Sequence, residues 1–218
     1  MINRLLKTIQ KHEKGITGLE TAIILIAFVV VAAVFAYTAL SAGLFSTQKS
    51  SEAVYAGLKE AQSTLELRGG VIATANTTGP SGTVQQISFT LSNVLHGEPI
   101  DFTEPLGTGN NGQADNNSTN VVVMSYVDQY QRVDDLYWEF TPLGKDNSNY
   151  ILEDNEKFQI TIGSDTPGSG GGNLINALSG HPLGPNTKFS LEVRPPYGAV
   201  LVVERTTPPN IDAIMNLR

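Results

Sequence analysis

The 218-residue chain contains no cysteine, which excludes disulfide scaffolds, thiolate zinc sites and cysteine nucleophiles. It has only three histidines, which leaves little room for catalysis built on imidazole. Cations are also scarce, 14 against 21 acidic residues, and the formal charge of -7 argues against nucleic acid as a partner. The glycine run Gly168–Gly172 lacks the Lys and Ser/Thr of a phosphate loop and reads as a flexible surface loop. His96 and His181 stand beside turn residues without triad partners. The acidic sets Asp128/Asp134/Asp135 and Glu153/Asp154/Glu156 could hold a hard cation such as calcium, but they lack the spacing of an EF-hand and read first as a solubilising surface. These absences point away from an enzyme and give no reason to expect a cofactor or a bound metal.

Charge and hydropathy are unevenly spread. Residues 1–15 carry Arg4, Lys7, Lys11 and Lys14 against Glu13, a net +3, and without them ten basic and twenty acidic residues remain, a balance of -10. From Thr21 to Phe45 the chain runs 25 residues without Asp, Glu, Lys or Arg. As a helix this run spans about 37 Å, enough to cross the ~30 Å hydrocarbon core of a bilayer. The basic flank before it places the N-terminus in the cytoplasm and the rest of the chain outside. A buried core helix is a poor alternative, because soluble cores rarely hold a helix that is apolar on every face. The run is also longer than a secretory signal's apolar region of about 7–15 residues, although Ser41-Ala42-Gly43 is a conceivable cleavage site.

Just ahead of the run stands Lys14-Gly15-Ile16-Thr17-Gly18-Leu19-Glu20. A basic leader, a glycine, four residues and a lone glutamate before an uninterrupted apolar helix resemble the processing site of type IV pilin-like precursors. The resemblance implies a membrane leader peptidase cutting on the cytoplasmic side between Gly15 and Ile16. The hydrophobic helix is then kept as the new N-terminus, with Glu20 its fifth residue. A carboxylate in an apolar stretch is costly unless paired. The resemblance implies that Glu20 meets the freed amine of Ile16 on a neighbouring subunit; the alternative is that it complements the helix dipole and reaches the membrane interface. Once the leader is gone, the helix can leave lipid only if other apolar helices replace it, so the segment reads as a polymerisation element.

After Phe45 the sequence stays helix-forming and turns amphipathic. Val54, Leu58, Ala61 and Leu65 make a one-face stripe expected to dock on the following domain, and Gly69-Gly70 is the expected stop. One helix from about residue 18 to 68 would be ~75 Å long. Beyond it, short runs rich in Val, Ile, Phe and Thr predict strands at Val71–Ala75, Val84–Leu95, Asn120–Asp128, Leu136–Thr141, Phe158–Gly163, Phe189–Arg194 and Ala199–Arg205. The expected fold is α+β: a leader over 1–15, a hydrophobic helix over 16–70, and an immunoglobulin-like antiparallel β-sandwich head over 71–218 that lacks the Cys…Trp…Cys signature.

This layout, with particular residues, resembles the archaeal flagellins. The likeness is strongest in GITGLETAIILIAFVVVAAVFAYTALSAG followed by FSTQKS. It continues through FTLSNVLHGEPIDFTE, LYWEFTPLG with Trp138, YILEDNEKFQITI and the close RPPYGAVLVVERTTPPNIDAIMNL. Glu20 is a pilin-like departure from many members. The resemblance implies a subunit of a helical homopolymer that a membrane motor rotates to propel the cell, with an assembly ATPase and a membrane platform protein as partners. Asn76, Asn116 and Asn117 each open an N-x-[ST] triplet in predicted loops, and the resemblance implies N-glycosylation there. Two other readings share part of the pattern. An adhesive archaeal type IV pilin would have the same leader and helix, and a monomeric surface protein with a retained anchor would keep its leader.

Overall fold

The computed structural model describes residues 2–62, 64–94, 97–145, 147–163 and 171–217. The chain divides into two compact units, residues 1–55 and 56–218.

Helix α1 runs from Ile2 to Gln62. No proline interrupts it, and its glycines are isolated, so each costs only about 1 kcal/mol relative to alanine and the surrounding helix formers carry the segment through. It begins well before residue 18 and stops short of the expected end near 68. The reason lies in Leu65-Glu66-Leu67-Arg68, which also alternates in steps of two. The sheet takes these residues, Leu65 is 3% exposed in the core, and strand β1 spans Leu65–Thr77. The expected helical stripe is therefore divided: Leu58 remains 50% exposed on the helix while Leu65 belongs to the sheet. Gly69-Gly70 does not stop a helix but lies within β1, where the register shifts between Arg68 and Ile72. Gly69 there adopts a φ of 82°, and a Cβ on Gly70 would strike the Asn216 side chain.

The other strands are β2 (Thr83–Asn93), β3 (Ile100–Asp101), β4 (Val123–Asp128), β5 (Arg132–Val133), β6 (Trp138–Pro142), β7 (Ile151–Leu152), β8 (Lys157–Ile162), β9 (Lys188–Arg194), β10 (Leu201–Thr206) and β11 (Ile214–Leu217), with a short helix α2 at Leu174–Ala177. All seven expected strands are present, although Leu95, the expected end of one, lies outside the described residues with His96. Three two-residue strands and β11 escape a reading by period because they are too short to show alternation. One sheet has the order β11-β1-β2-β8-β6 and a second the order β10-β9-β4-β5, while β3 and β7 form a separate pair. All pairings are antiparallel.

The two larger sheets share one buried cluster, the β-sandwich that the alternation predicted. Phe102 sits in it edge-on to both Trp138 and Phe158, with ring centroids 5.8 Å apart in each case. In this cysteine-free sandwich the buried Trp138 packs on phenylalanine and not on a disulfide. The glycine run also has a packing role that composition did not suggest. Gly171 lies flat against the Tyr137 ring, and Gly172, at a φ of 80°, backs onto Asn110. Residues 168–170 lie outside the described residues.

Candidate assembly surface

Along α1 the large apolar side chains have no cover among the described residues. From Leu19 to Phe45 fifteen of them are more than half exposed, Phe28 at 73% among them. At about 1.5–3 kcal/mol for burying each, water would forfeit on the order of 20–45 kcal/mol, more than the ~5–15 kcal/mol that holds a typical domain together. Lipid or other apolar helices must take its place. The polar side chains in the run are adapted to that. Thr38 Oγ1 donates to the Phe35 carbonyl at 2.9 Å and Thr47 Oγ1 to Gly43 at 2.8 Å, so these hydroxyls are bonded inside their own helix.

A second pattern lies under the first and was hidden by the overall hydrophobicity. Ala32, Ala36, Ala39, Gly43, Ser46, Ser50, Ala53 and Gly57 follow one another in alternating steps of four and three residues. This is a heptad seam made only of small residues, and it runs on past Lys49, where the charge-free stretch ends. Val34, Tyr37, Leu44 and Tyr55 occupy the opposite side, all more than half exposed. A 3.5-residue period is the geometry of near-parallel helix packing, and small side chains let two backbones approach closely.

The residues singled out at the processing site fall as follows. Gly15 and Ile16 lie inside the backbone of α1, and Glu20 is exposed on the helix with no partner among the described residues. The acceptor triplets are split. Asn116 and Asn117 are exposed in a turn, as expected, but Asn76 is the next-to-last residue of β1 and not in a loop. The sheet claims it because Ala75 and Thr77 still pair with β2.

Other candidates for chemistry resolve into structure. Asp128 Oδ1 accepts the N–H groups of Tyr130 at 2.7 Å and Gln131 at 2.9 Å, and its Oδ2 accepts the Tyr126 hydroxyl at 2.8 Å, so it builds a turn. Asp134 pairs with Arg132 at 2.9 Å. Glu156 Oε2 accepts the Glu153 N–H at 3.1 Å. The His181 ring lies exposed and stacked on Tyr130, centroids 5.2 Å apart. Among the described residues no three acidic or histidine side chains stand close enough to hold a metal ion.

An exposed apolar helix followed by a sandwich of this topology is a combination found in known proteins. The archaeal-type flagellin family matches the chain over residues 15–205. The chain belongs to the archaeal-type flagellins. Probable flagellin 1 of Archaeoglobus fulgidus is 38% identical to this flagellin over 212 residues, 95% of this chain and 96% of that one. Probable flagellin 1 of Aeropyrum pernix is 32% identical over 222 residues, 92% of this chain and 95% of that one. Among solved structures, the archaeal flagellum of Methanospirillum hungatei strain JF1 aligns over 92% of this flagellin and 98% of its own chain, with a TM-score of 0.62 and 29% identity.

Proposed function

We propose that this flagellin is a structural subunit that polymerises through α1 into the filament of the archaeal flagellum, outside the cell, for swimming. The carrying observation is the uncovered apolar helix on a chain whose likeness to a filament subunit extends over helix and head together. Copies of the same helix supply the apolar surroundings that one copy lacks, and a head-to-tail contact that does not close gives an open helical polymer. Nothing in this role calls for bond-making by the chain itself.

Before assembly the chain is a membrane precursor. The +3 leader stays on the cytoplasmic side, a leader peptidase cuts between Gly15 and Ile16, and an assembly ATPase with a membrane platform protein drives the subunit out. The family match beginning at residue 15, next to the basic segment, supports this division. Glu20 then pairs with the amine of Ile16 on the next subunit. N-glycosylation falls on Asn76 and, of the overlapping pair, on Asn117. The triplet of Asn116 ends at Ser118, whose hydroxyl already accepts the Leu106 N–H at 3.0 Å and donates to Asn120 at 2.6 Å, whereas that of Asn117 ends at the exposed Thr119.

The adhesive-pilus reading is disfavoured because the likeness to flagellins continues through the head, where an adhesin's purpose would lie. A deletion strain separates the two: loss of swimming, restored by the intact gene, supports the flagellar role. Unimpaired swimming with lost surface attachment would transfer the chain to the pilins.

A further inference from the structure

The outer faces of the sandwich differ in how their polar side chains are used. On the outer face of the four-stranded sheet the ions stand in pairs: Arg132 pairs with Asp134 at 2.9 Å and Glu192 at 3.1 Å, Arg194 with Glu192 at 2.6 Å, and Lys188 with Glu204 at 2.8 Å. Ser125, opposite Glu192 in the register of β4 and β9, is wholly buried. Pressing such a face against another protein would strip water from ions that gain no new partner.

The outer face of the five-stranded sheet is different. Register places Ile72, Ser88 and Thr161 side by side across β1, β2 and β8, and in the next row Thr90, Gln159 and Thr141 across β2, β8 and β6. These two rows carry hydroxyls and an amide and end at their ions, Glu139 beside Thr161 and Arg68 beside Thr90. Among the described residues the side chains of Ser88, Thr90, Gln159 and Thr161 make no hydrogen bond, so donors and acceptors point outward unused. Ser and Thr also lose little rotamer freedom on burial. At the rim Ile214, paired with Thr74 on β1, is 71% exposed, an apolar anchor on the same side.

We propose that this face is where the head meets the head of a second copy of this chain, an inference that rests on the filament reading above. The mature subunit's balance of -10 makes contact between copies costly wherever ionised side chains are pressed together, and the two central rows hold none between their ends. Interface cores are depleted in charge, and the two central rows satisfy that condition with unspent hydrogen-bonding groups. In a polar filament all subunits point the same way, so the contact is heterologous and this face meets a different surface of its neighbour.

The missing cysteines make the test clean, because each introduced thiol is the only one in the chain. Thr161→Cys and Thr90→Cys are compared with Ser190→Cys, on the four-stranded sheet. Each is treated with a water-soluble maleimide in intact filaments and in the same subunits dissociated in detergent. The expected result is that the thiols at 161 and 90 label in dissociated subunits and lose labelling in filaments, while the thiol at 190 labels in both. Equal labelling of 161 and 90 in the two states, in filaments seen by electron microscopy to contain the chain, would overturn the proposed contact and leave the filament reading intact. Absence of the chain from any filament would overturn the filament reading itself, and this contact with it.

Discussion

Glu104 shows how a single carboxyl can be held against its own preference. Burial pushes it above the ordinary carboxylate range, the Phe140 N–H it accepts at 2.9 Å pulls it back, and the charge of Glu139 pushes it up again. A raised carboxyl stabilises the fold at low pH, and that contribution is lost as pH rises through its raised value. Asp134 and Glu192 run the other way. Hydrogen bonds from Arg132 lower both, so their contribution is present above the ordinary carboxylate range and lost as pH falls through their lowered values. Glu104→Gln keeps an acceptor for Phe140 and removes the charge. Its head should melt at the same temperature as wild type or higher at neutral pH, with the gap closing at acid pH, and a lower melting temperature at neutral pH would refute this account. Glu20 is a carboxylate of another kind, exposed on the helix and without a partner among the described residues. Glu20→Ala should leave leader removal intact and lower filament yield, and normal filaments from this variant would exclude a pairing role. Only one of these carboxylates is legible in the sequence. Glu20 stands out as the lone charge just ahead of an uninterrupted apolar run, whereas Glu104 acquires its character only when the chain folds it against Phe140 and Glu139.

Among the elements, α1 was the most legible, because 25 residues without a charge leave few alternatives. Its end was not, since Leu65 fits both a helical stripe and an alternating strand, and only its pairing with the distant Asn93 on β2 decides for the strand. The seam from Ala32 to Gly57 could have been found by searching for small residues in steps of four and three, but a hydropathy average over the apolar helix does not separate small residues from large ones and conceals it. A bulky side chain placed on the seam should separate the helices, at a cost of about 1–3 kcal/mol for each contact it spoils, a factor of roughly ten or more in association. Ala39→Leu should therefore reduce filament yield sharply while the precursor still reaches the membrane, and Ser41→Leu, on the opposite side, should not. Equal yields from the two variants would show that the seam has no packing role. The head was legible at its long strands, where Gln86 to Ser92 alternates, and obscure at β3, β5 and β7, two residues each, whose pairing is set by distant chain.

For the whole molecule, the near-neutral mean hydropathy of -0.07 averages two parts that belong in different surroundings. One is a helix that water cannot support, the other a sandwich with a conventional core. The absence of cysteine excludes thiol chemistry and the scarcity of histidine leaves little room for imidazole catalysis, and the processing pattern at Gly15 with the apolar run points to a polymer. What sequence could not supply was which surfaces of the head remain unsatisfied, because that depends on which rows face outward and which ions find partners on their own face. The account's central claim is that this flagellin leaves the membrane by packing its helix among copies of itself. The most direct test is to purify filaments from the cell surface, image them, and measure the masses of their N-terminal peptides. The account predicts filaments built of this chain with Ile16 as the first residue. A chain found only in the membrane fraction, still starting at Met1 and absent from every filament, would contradict it.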